Sequence, residues 1–306
     1  MAFLLPTDIN IMAVDFTLLQ HALSYRRKMF RQLFKSHYRL AISTDFLRHP
    51  NLDESLIGAA AADQSIAMEP RPWPKYDRAL RKNRKLYQRL FESGPLLSDK
   101  VIRWNRFANW LTGKTETVPV IHVAGPHFTG SDTASFPDVL IQPFSAVKLK
   151  QSPPDLYRNM IARLPEGTRI AITGAPGDLD NNPEFRELLK LPDVEFDSST
   201  FENLAPKLKA ARLVISVDTA LMHLAIVLGA PTLGLASAAY VGEIVPYADE
   251  IMPTNAHILY QPIDCQGCLG HCPHQPVDGM YPCVAMLNND HDRINAAINE
   301  IIAVRA

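Results

Sequence analysis

From Val139 onward, short apolar runs alternate with amphipathic stretches. Val139-Leu140-Ile141-Gln142-Pro143, Arg169-Ile170-Ala171-Ile172-Thr173, Val194-Glu195-Phe196, Leu213–Val217 and Pro231–Leu235 read as strands rich in β-branched residues. Pro154–Leu164, with proline at its start, Pro183–Leu191, Phe201–Ala211, capped by Ser199 or Thr200, and Ala220–Leu228 read as the helices between them. Repeats of this kind predict a parallel sheet covered by helices on both faces, an α/β fold. A last helix is expected from about Asp292 to Val304.

The N-terminal half alternates less regularly. Phe3-Leu4-Leu5 reads as a short strand, and Phe16–His37 as a helix with a basic face (Arg26, Arg27, Lys28, Arg31, Lys35). Tyr38–Ser43 reads as a strand ending at Thr44-Asp45. Tyr76–Gly113 reads as two helices separated by Ser93-Gly94-Pro95, and Pro119–Val123 as another strand. Ala124–Pro137, with two glycines and two prolines, is the natural linker. This gives an N-terminal domain over 1–130 with a basic helical insert at 71–114, a second domain over 131–290, and a C-terminal helix over 291–306.

Apolar residues make up 47% of the chain and charged residues 21%, which fits a globular protein rather than a disordered one. Net charge is −1, which argues against nucleic acid as a partner. That near-neutral sum hides an asymmetry: Arg71–Lys114 holds twelve Lys or Arg against three acids, a net +9, so the rest carries −10. The segment also holds Trp73, Trp104 and Trp110. It reads either as contact with an acidic acceptor or anionic membrane surface, or as a solvated helical face whose aromatics pack inward. The start Met1-Ala-Phe-Leu-Leu-Pro lacks the basic region of a signal peptide. Leu224–Gly242 approaches membrane-span length, but Gly229 and Pro231 interrupt it. A cytoplasmic location is the expectation.

In an open parallel sheet, ligands sit beyond the carboxyl ends of the strands. Three such ends carry polar groups suited to a phosphate or a ribose. Ser145, Lys148 and Lys150 follow the strand at 139–143. Thr173-Gly174-Ala175-Pro176-Gly177-Asp178 follows the next, its glycines allowing close backbone approach. Asp218-Thr219, with His223 one turn on, ends a largely apolar strand and opens a helix.

These residues carry a specific resemblance. Ile215-Ser-Val-Asp-Thr-Ala-Leu-Met-His-Leu-Ala-Ile-Val-Leu-Gly-Ala-Pro-Thr232 resembles the donor-site signature of the bacterial heptosyltransferases, glycosyltransferase family 9. Lys150-Gln151-Ser152-Pro153 is similar to the family's Lys-x-Trp-Pro element, with serine in place of tryptophan. Thr173-Gly174-Ala175-Pro176 is similar to its Thr-Gly-Gly-Pro turn, Phe201-Glu202-Asn203-Leu204 to its Ser-Leu-x-Glu-Leu-type helix start, and Tyr38–Ser43 to its Tyr-Asp-x-x-Ile strand. The resemblance implies a GT-B fold of two Rossmann-like domains, the N-terminal one incomplete. It implies inverting transfer of heptose from ADP-heptose to a lipopolysaccharide core or related acceptor, with no metal required for transfer. Donor contacts map onto Ser145, Lys150, Thr173, Gly174, Glu202, Asp218, Thr219 and His223. A location in the cytoplasm, peripheral at the inner face of the inner membrane, follows from the same implication.

The family pattern opens with a strand and a Gly-Asp loop whose aspartate is the proposed base. Against it this chain starts roughly sixty residues late, without that loop before its first helix, so general-base help of about 10²–10⁴-fold would be missing. The expectations are an upstream start, a substitute acid such as Asp15 or Asp45, of which Asp45 at a strand end is the better placed, or a non-catalytic homologue that only binds the nucleotide sugar.

All four cysteines fall together, as Cys265-x2-Cys268-x3-Cys272-x10-Cys283. Four thiolates on a short loop suit tetrahedral zinc or iron, and His271 or His274 could replace one of them. Free thiols and disulfides are the alternatives. The resemblance adds that some relatives carry cysteines here, among them a subgroup that glycosylates autotransporter proteins and binds iron, so a protein acceptor stands beside the lipopolysaccharide one.

Overall fold

The computed structural model describes residues 2–123 and 135–303. The chain divides into two compact units, Asp8–Val118 and Met1–Thr7 with Pro119–Ala306. The division falls at Val118 rather than near 130, and most of the expected linker lies outside the described residues. No helix among the described residues is long and apolar enough to cross a membrane.

The N-terminal unit contains α1 (Phe16–His21), α2 (Leu23–Lys35), β1 (Leu40–Ser43), α3 (Asp53–Ala60), β2 (Gln64–Met68), α4 (Asp77–Asn83), β3 (Arg89–Phe91) and α5 (Lys100–Thr112). The single helix expected over Phe16–His37 is two, because Ala22 steps out to extended backbone (φ −110°, ψ 101°). The Asp15 carboxylate caps α1 by accepting from Leu18 N at 2.9 Å. The strands form a parallel sheet in the order β1-β2-β3. Strand β3 was not expected inside the basic segment; only three residues long, it is anchored by Phe91, which packs with Phe46, Ile66, Met68 and Phe107. Two arginines of this unit turn inward. Arg48 is 1% exposed and pairs with Glu54 at 3.1 Å. Arg103, in the basic segment, donates to Ser93 O, Pro95 O and Leu96 O and lies 3.8 Å from the Phe46 ring centroid. Part of that segment's charge therefore fixes a loop instead of facing solvent.

The larger unit contains β4 (Val139–Gln142), α6 (Pro154–Ile161), β5 (Ile170–Thr173), α7 (Asp178–Asn181), β6 (Val194–Asp197), α8 (Phe201–Ala210), β7 (Leu213–Val217), α9 (Ala220–Val227), β8 (Thr232–Leu235), β9 (Ala256–Leu259), α10 (Pro282–Asn288) and α11 (His291–Ala303). Pro183–Lys190 is a 3-10 helix, and so is Ala2–Leu4, where a strand over Phe3–Leu5 was expected. Pro119–Val123 forms no strand; its amides bond instead to Ile251 O and Val227 O. All six strands are parallel, in the order β6-β5-β4-β7-β8-β9. Alternation along each strand sends Ile141 and Ile215 into one buried layer and Leu140 and Val214 into the other. Covering both faces accounts for the continuous apolar runs in the sequence. Helix α11 adds Ile294, Ile298 and Ile301 to the first layer, so it is part of this unit and not an appendage.

Candidate functional site

Numbered within the larger unit, its strand order is 3-2-1-4-5-6, so the strand order reverses between β4 and β7 while the strands stay parallel. A doubly wound sheet opens a crevice beyond the carboxyl ends at that switch point. A cleft of about 560 Å³ lies there. Its walls come from the end of β4 and the segment after it (Gln142, Phe144, Ser145) and from the segments after β5 (Gly174, Pro176), β6 (Ser199, Thr200) and β7 (Thr219). Aromatic, small and hydroxyl side chains together suit a flat base with a ribose and phosphates.

Each wall has a local cause. Thr173 ends β5 fully buried, and its hydroxyl donates to Gln142 Oε1 at 2.7 Å while Gln142 Nε2 donates to Phe144 O at 3.1 Å. Thr173 thus ties two strand ends together from inside the sheet. Gly174 lies against the Phe144 ring: a Cβ there would stand 2.8 Å from Cδ2, so any side chain displaces the ring that lines the cleft. The turn is closed by the Asp178 carboxylate, which accepts from Ala175 N at 2.7 Å.

Asp197, at the end of β6, shapes the Ser198–Thr200 wall. It accepts from Ser199 N at 2.9 Å and from Lys207 Nζ at 2.6 Å. Burial pushes its carboxyl up, but the hydrogen bonds from Lys207 and Ser199 and the Lys207 charge outweigh that and hold it below the ordinary value. For a depressed carboxyl, the stabilisation is present above the unfolded pKa, about 3.9, and is lost as pH falls through the folded value. Wild-type stability should therefore drop below about pH 4 by more than that of Asp197→Asn, when urea midpoints are compared from pH 7 down to pH 3. Parallel curves would contradict this role.

Lys150, Asp218 and His223 gather at the β7 end. Lys150 Nζ donates to Asp218 Oδ2 at 2.5 Å and to Asp218 O at 3.2 Å, with the two side chains 11% and 8% exposed. His223 Nε2 is 3.8 Å from Asp218 Oδ1, and its Nδ1 bonds to the Tyr247 hydroxyl. Lys150 Nζ also lies 4.9 Å from the centre of the Tyr240 ring. Thr219, the N-cap residue of α9, makes no side-chain cap bond; its hydroxyl lies 3.3 Å from Ser216 Oγ.

Of the expected donor residues, Ser145, Gly174 and Thr219 line the cleft, and Lys150, Asp218 and His223 form the adjoining polar group. Thr173 is buried beneath it, and Glu202 is exposed in the first turn of α8, next to cleft-lining Phe201. Phe144 was missed, although Pro143-Phe144-Ser145 places an aromatic directly after a strand. Tyr240 and Tyr247 were missed too, and no local motif marks them. Lys148 reaches Asn181 O at 2.9 Å and the Asn182 side chain, tying two loops together.

Asp45 follows β1 in the N-terminal unit. Partial burial and the Asp53 charge raise its carboxyl from the ordinary value, against the opposing pull of Lys100 and Arg48.

The cysteine loop belongs to the larger unit. Asp264, Cys265 and His274 bring one ligand atom each within 4.8 Å of one another, and His274 Nε2 lies 2.8 Å from Asp264 Oδ1. The Cys265 thiol is pushed up to about 11 by burial, by its hydrogen bond with Cys272, and by the charges of Cys272, Cys268 and Asp264. Cys283 is buried beside Ala238 and Val284. A carboxylate, a thiol and an imidazole fit zinc or iron as a donor set.

A sequence model of glycosyltransferase family 9 (heptosyltransferase) matches residues 73–269, more than half of the chain. The chain belongs to that family. Among curated proteins none matches this sequence. Among solved structures, E. coli heptosyltransferase WaaC with ADP-2-deoxy-2-fluoro heptose is similar over 97% of this chain and 84% of its own, with TM-score 0.65 and 17% identity. E. coli ADP-heptose lps heptosyltransferase II is similar over 92% and 82%, with TM-score 0.63 and 13% identity. A family 9 glycosyl transferase from Veillonella parvula is similar over 92% and 78%, with TM-score 0.61 and 15% identity. The family 9 chain is thus a glycosyltransferase with an α/β fold of the GT-B type and Rossmann-like sheets.

Proposed function

We propose that this glycosyltransferase moves a heptose from ADP-heptose, with inversion, to a lipopolysaccharide core or related acceptor. The observation that carries this reading is the cleft at the strand-order reversal, with Ser145, Gly174 and Thr219 on its walls and the Lys150–Asp218 pair at the β7 end. The apolar walls around Phe144 and Phe201 take the base. Ser145, Thr219 and the Lys150 ammonium face the diphosphate, whose negative charge grows as the bond to the sugar breaks. Asp45 takes the proton of the acceptor hydroxyl; in support, it sits at a strand end, and a raised carboxyl is the better base near neutral pH. A structural zinc or iron is held at the cysteine loop, through Asp264, Cys265 and His274 with the neighbouring thiols. The location is the cytoplasm, at the inner face of the inner membrane, where the exposed basic residues of the segment Arg71–Lys114 meet anionic headgroups.

Calorimetry of the purified chain with ADP, ADP-heptose and UDP, followed by mass spectrometry of transfer onto heptose-deficient lipopolysaccharide, tests the reading. ADP and ADP-heptose are expected to bind and the acceptor to gain one heptose. A protein that prefers UDP, or binds neither ADP ligand, would sink it.

A further inference from the structure

Lys150 is braced from behind by the cysteine loop. Tyr240, whose ring centre is 4.9 Å from Lys150 Nζ, ends a 3-10 turn at Ala238–Tyr240. The loop bonds to that turn twice: Gly267 N donates to Ala238 O at 2.9 Å and Leu269 N to Ala239 O at 2.7 Å. It also reaches the segment that carries the lysine, where Tyr281 N donates to Leu149 O at 2.9 Å. The Tyr281 hydroxyl closes the frame on Gly270 O at 3.4 Å. A Cβ at Gly270 would stand 3.3 Å from the Tyr240 hydroxyl, so the loop backbone lies directly against the outer end of the ring. The loop takes left-handed backbone at Gly267, Leu269 and Gly270 (φ 77°, 55° and 85°), and at Leu269 that costs energy which burial of its side chain offsets.

We propose that Tyr240 is a positioning residue for the reaction: held by the cysteine loop, its ring aims the Lys150 ammonium at the donor diphosphate. This rests on the donor reading above. A lysine head has three N–H donors on a flexible four-carbon stem. Two hydrogen bonds draw it onto Asp218, which by itself would leave the ammonium paired and turned towards the carboxylate. The electron-rich ring face attracts the same cation from another side, and at 11% exposure little water competes. Ring and carboxylate together restrict where the remaining N–H can point, so less entropy is lost when a diphosphate accepts it. The cysteine loop sets the ring, which connects thiol or metal chemistry there to donor affinity without any contact between the cysteines and the nucleotide.

The test is titration of the full chain with ADP and with adenosine, which lacks the diphosphate. Tyr240→Leu should weaken ADP about tenfold, the worth of a largely desolvated cation–π contact, and leave adenosine unchanged. Tyr240→Phe keeps the ring and should hold ADP affinity within about twofold. Gly270→Ala should weaken ADP severalfold when Tyr240 is present but not in the Tyr240→Phe background, where the hydroxyl it would press on is gone. Backbone strain at residue 270 is common to both backgrounds, so the difference between them isolates the contact. Equal ADP affinity in the wild type and Tyr240→Leu, or parallel losses for ADP and adenosine, would overturn the proposal alone. Equal Gly270→Ala effects in both backgrounds would overturn the loop's part in it. A wild type that binds no ADP overturns the donor reading and this proposal with it.

Discussion

Replacing Lys150 by alanine should lower transfer by about 10²–10³-fold and abolish most of the ADP affinity, because in the proposed reaction its ammonium meets the leaving diphosphate. The substitution has a second consequence. It strands the Asp218 carboxylate, 8% exposed, without its partner, and breaking a buried pair from one side costs about 3–5 kcal/mol when desolvation is complete. Loss of activity could then reflect loss of fold. Lys150→Ala with Asp218→Asn separates the two: the neutral amide removes the stranded charge, so the urea midpoint should return towards the wild type while ADP binding stays lost. Calorimetry and urea melts on the three proteins give the answer. A Lys150→Ala enzyme with wild-type ADP affinity would remove the lysine from the donor site.

The second large effect concerns stability. Arg48→Met should destabilise the N-terminal unit by about 3–5 kcal/mol, since the Glu54 side chain, 0% exposed, would be left buried without its partner. Arg48 also donates to Met68 O and lies 4.9 Å from the Tyr87 ring centre, so it joins the loop after β1 to the end of β2 and to Tyr87. Asp45 lies in that same loop, three residues before Arg48. The double variant Arg48→Met with Glu54→Leu replaces the pair by apolar groups and should regain most of the lost stability. Strictly additive losses in urea denaturation would mean that the two charges act independently.

Much of the larger unit could be read from the chain. Its central strands are apolar runs because both sheet faces are covered, and β5, β6 and β7 end at or just before Thr173, Asp197 and Asp218. Such a pattern arises from local chemistry and needs no knowledge of partners. Other stretches, in both units, resisted. Arg89-Leu90-Phe91 carries a strand too short to show a period, inside a stretch dominated by charge. Pro119–Val123 has a strand's composition, yet it bonds to Ile251 and Val227 and pairs with no strand. Strand β9 lies at the sheet edge with only intermediate burial, which removes the apolar signal that marked its neighbours.

The site divides in the same way. By itself the sequence determined which residue types stand at the strand ends: Ser145, Lys150, Gly174, Asp218, Thr219 and His223 all follow apolar runs, and backbone direction alone puts them on one edge of a parallel sheet. Only the tertiary structure decided what each does there. Thr173 proved to be a buried tie to Gln142, because its side chain falls on the inner side of the strand end. Tyr240 came to lie over an ammonium ninety positions earlier in the chain, a partnership set by chain crossovers and loop packing. The cysteines contribute Cys265 with Asp264 and His274 to one cluster, and their loop braces the turn that carries Tyr240. Residue type and strand direction are local properties, whereas the aim of a side chain depends on what packs behind it, and for Lys150 that is a loop more than a hundred residues away.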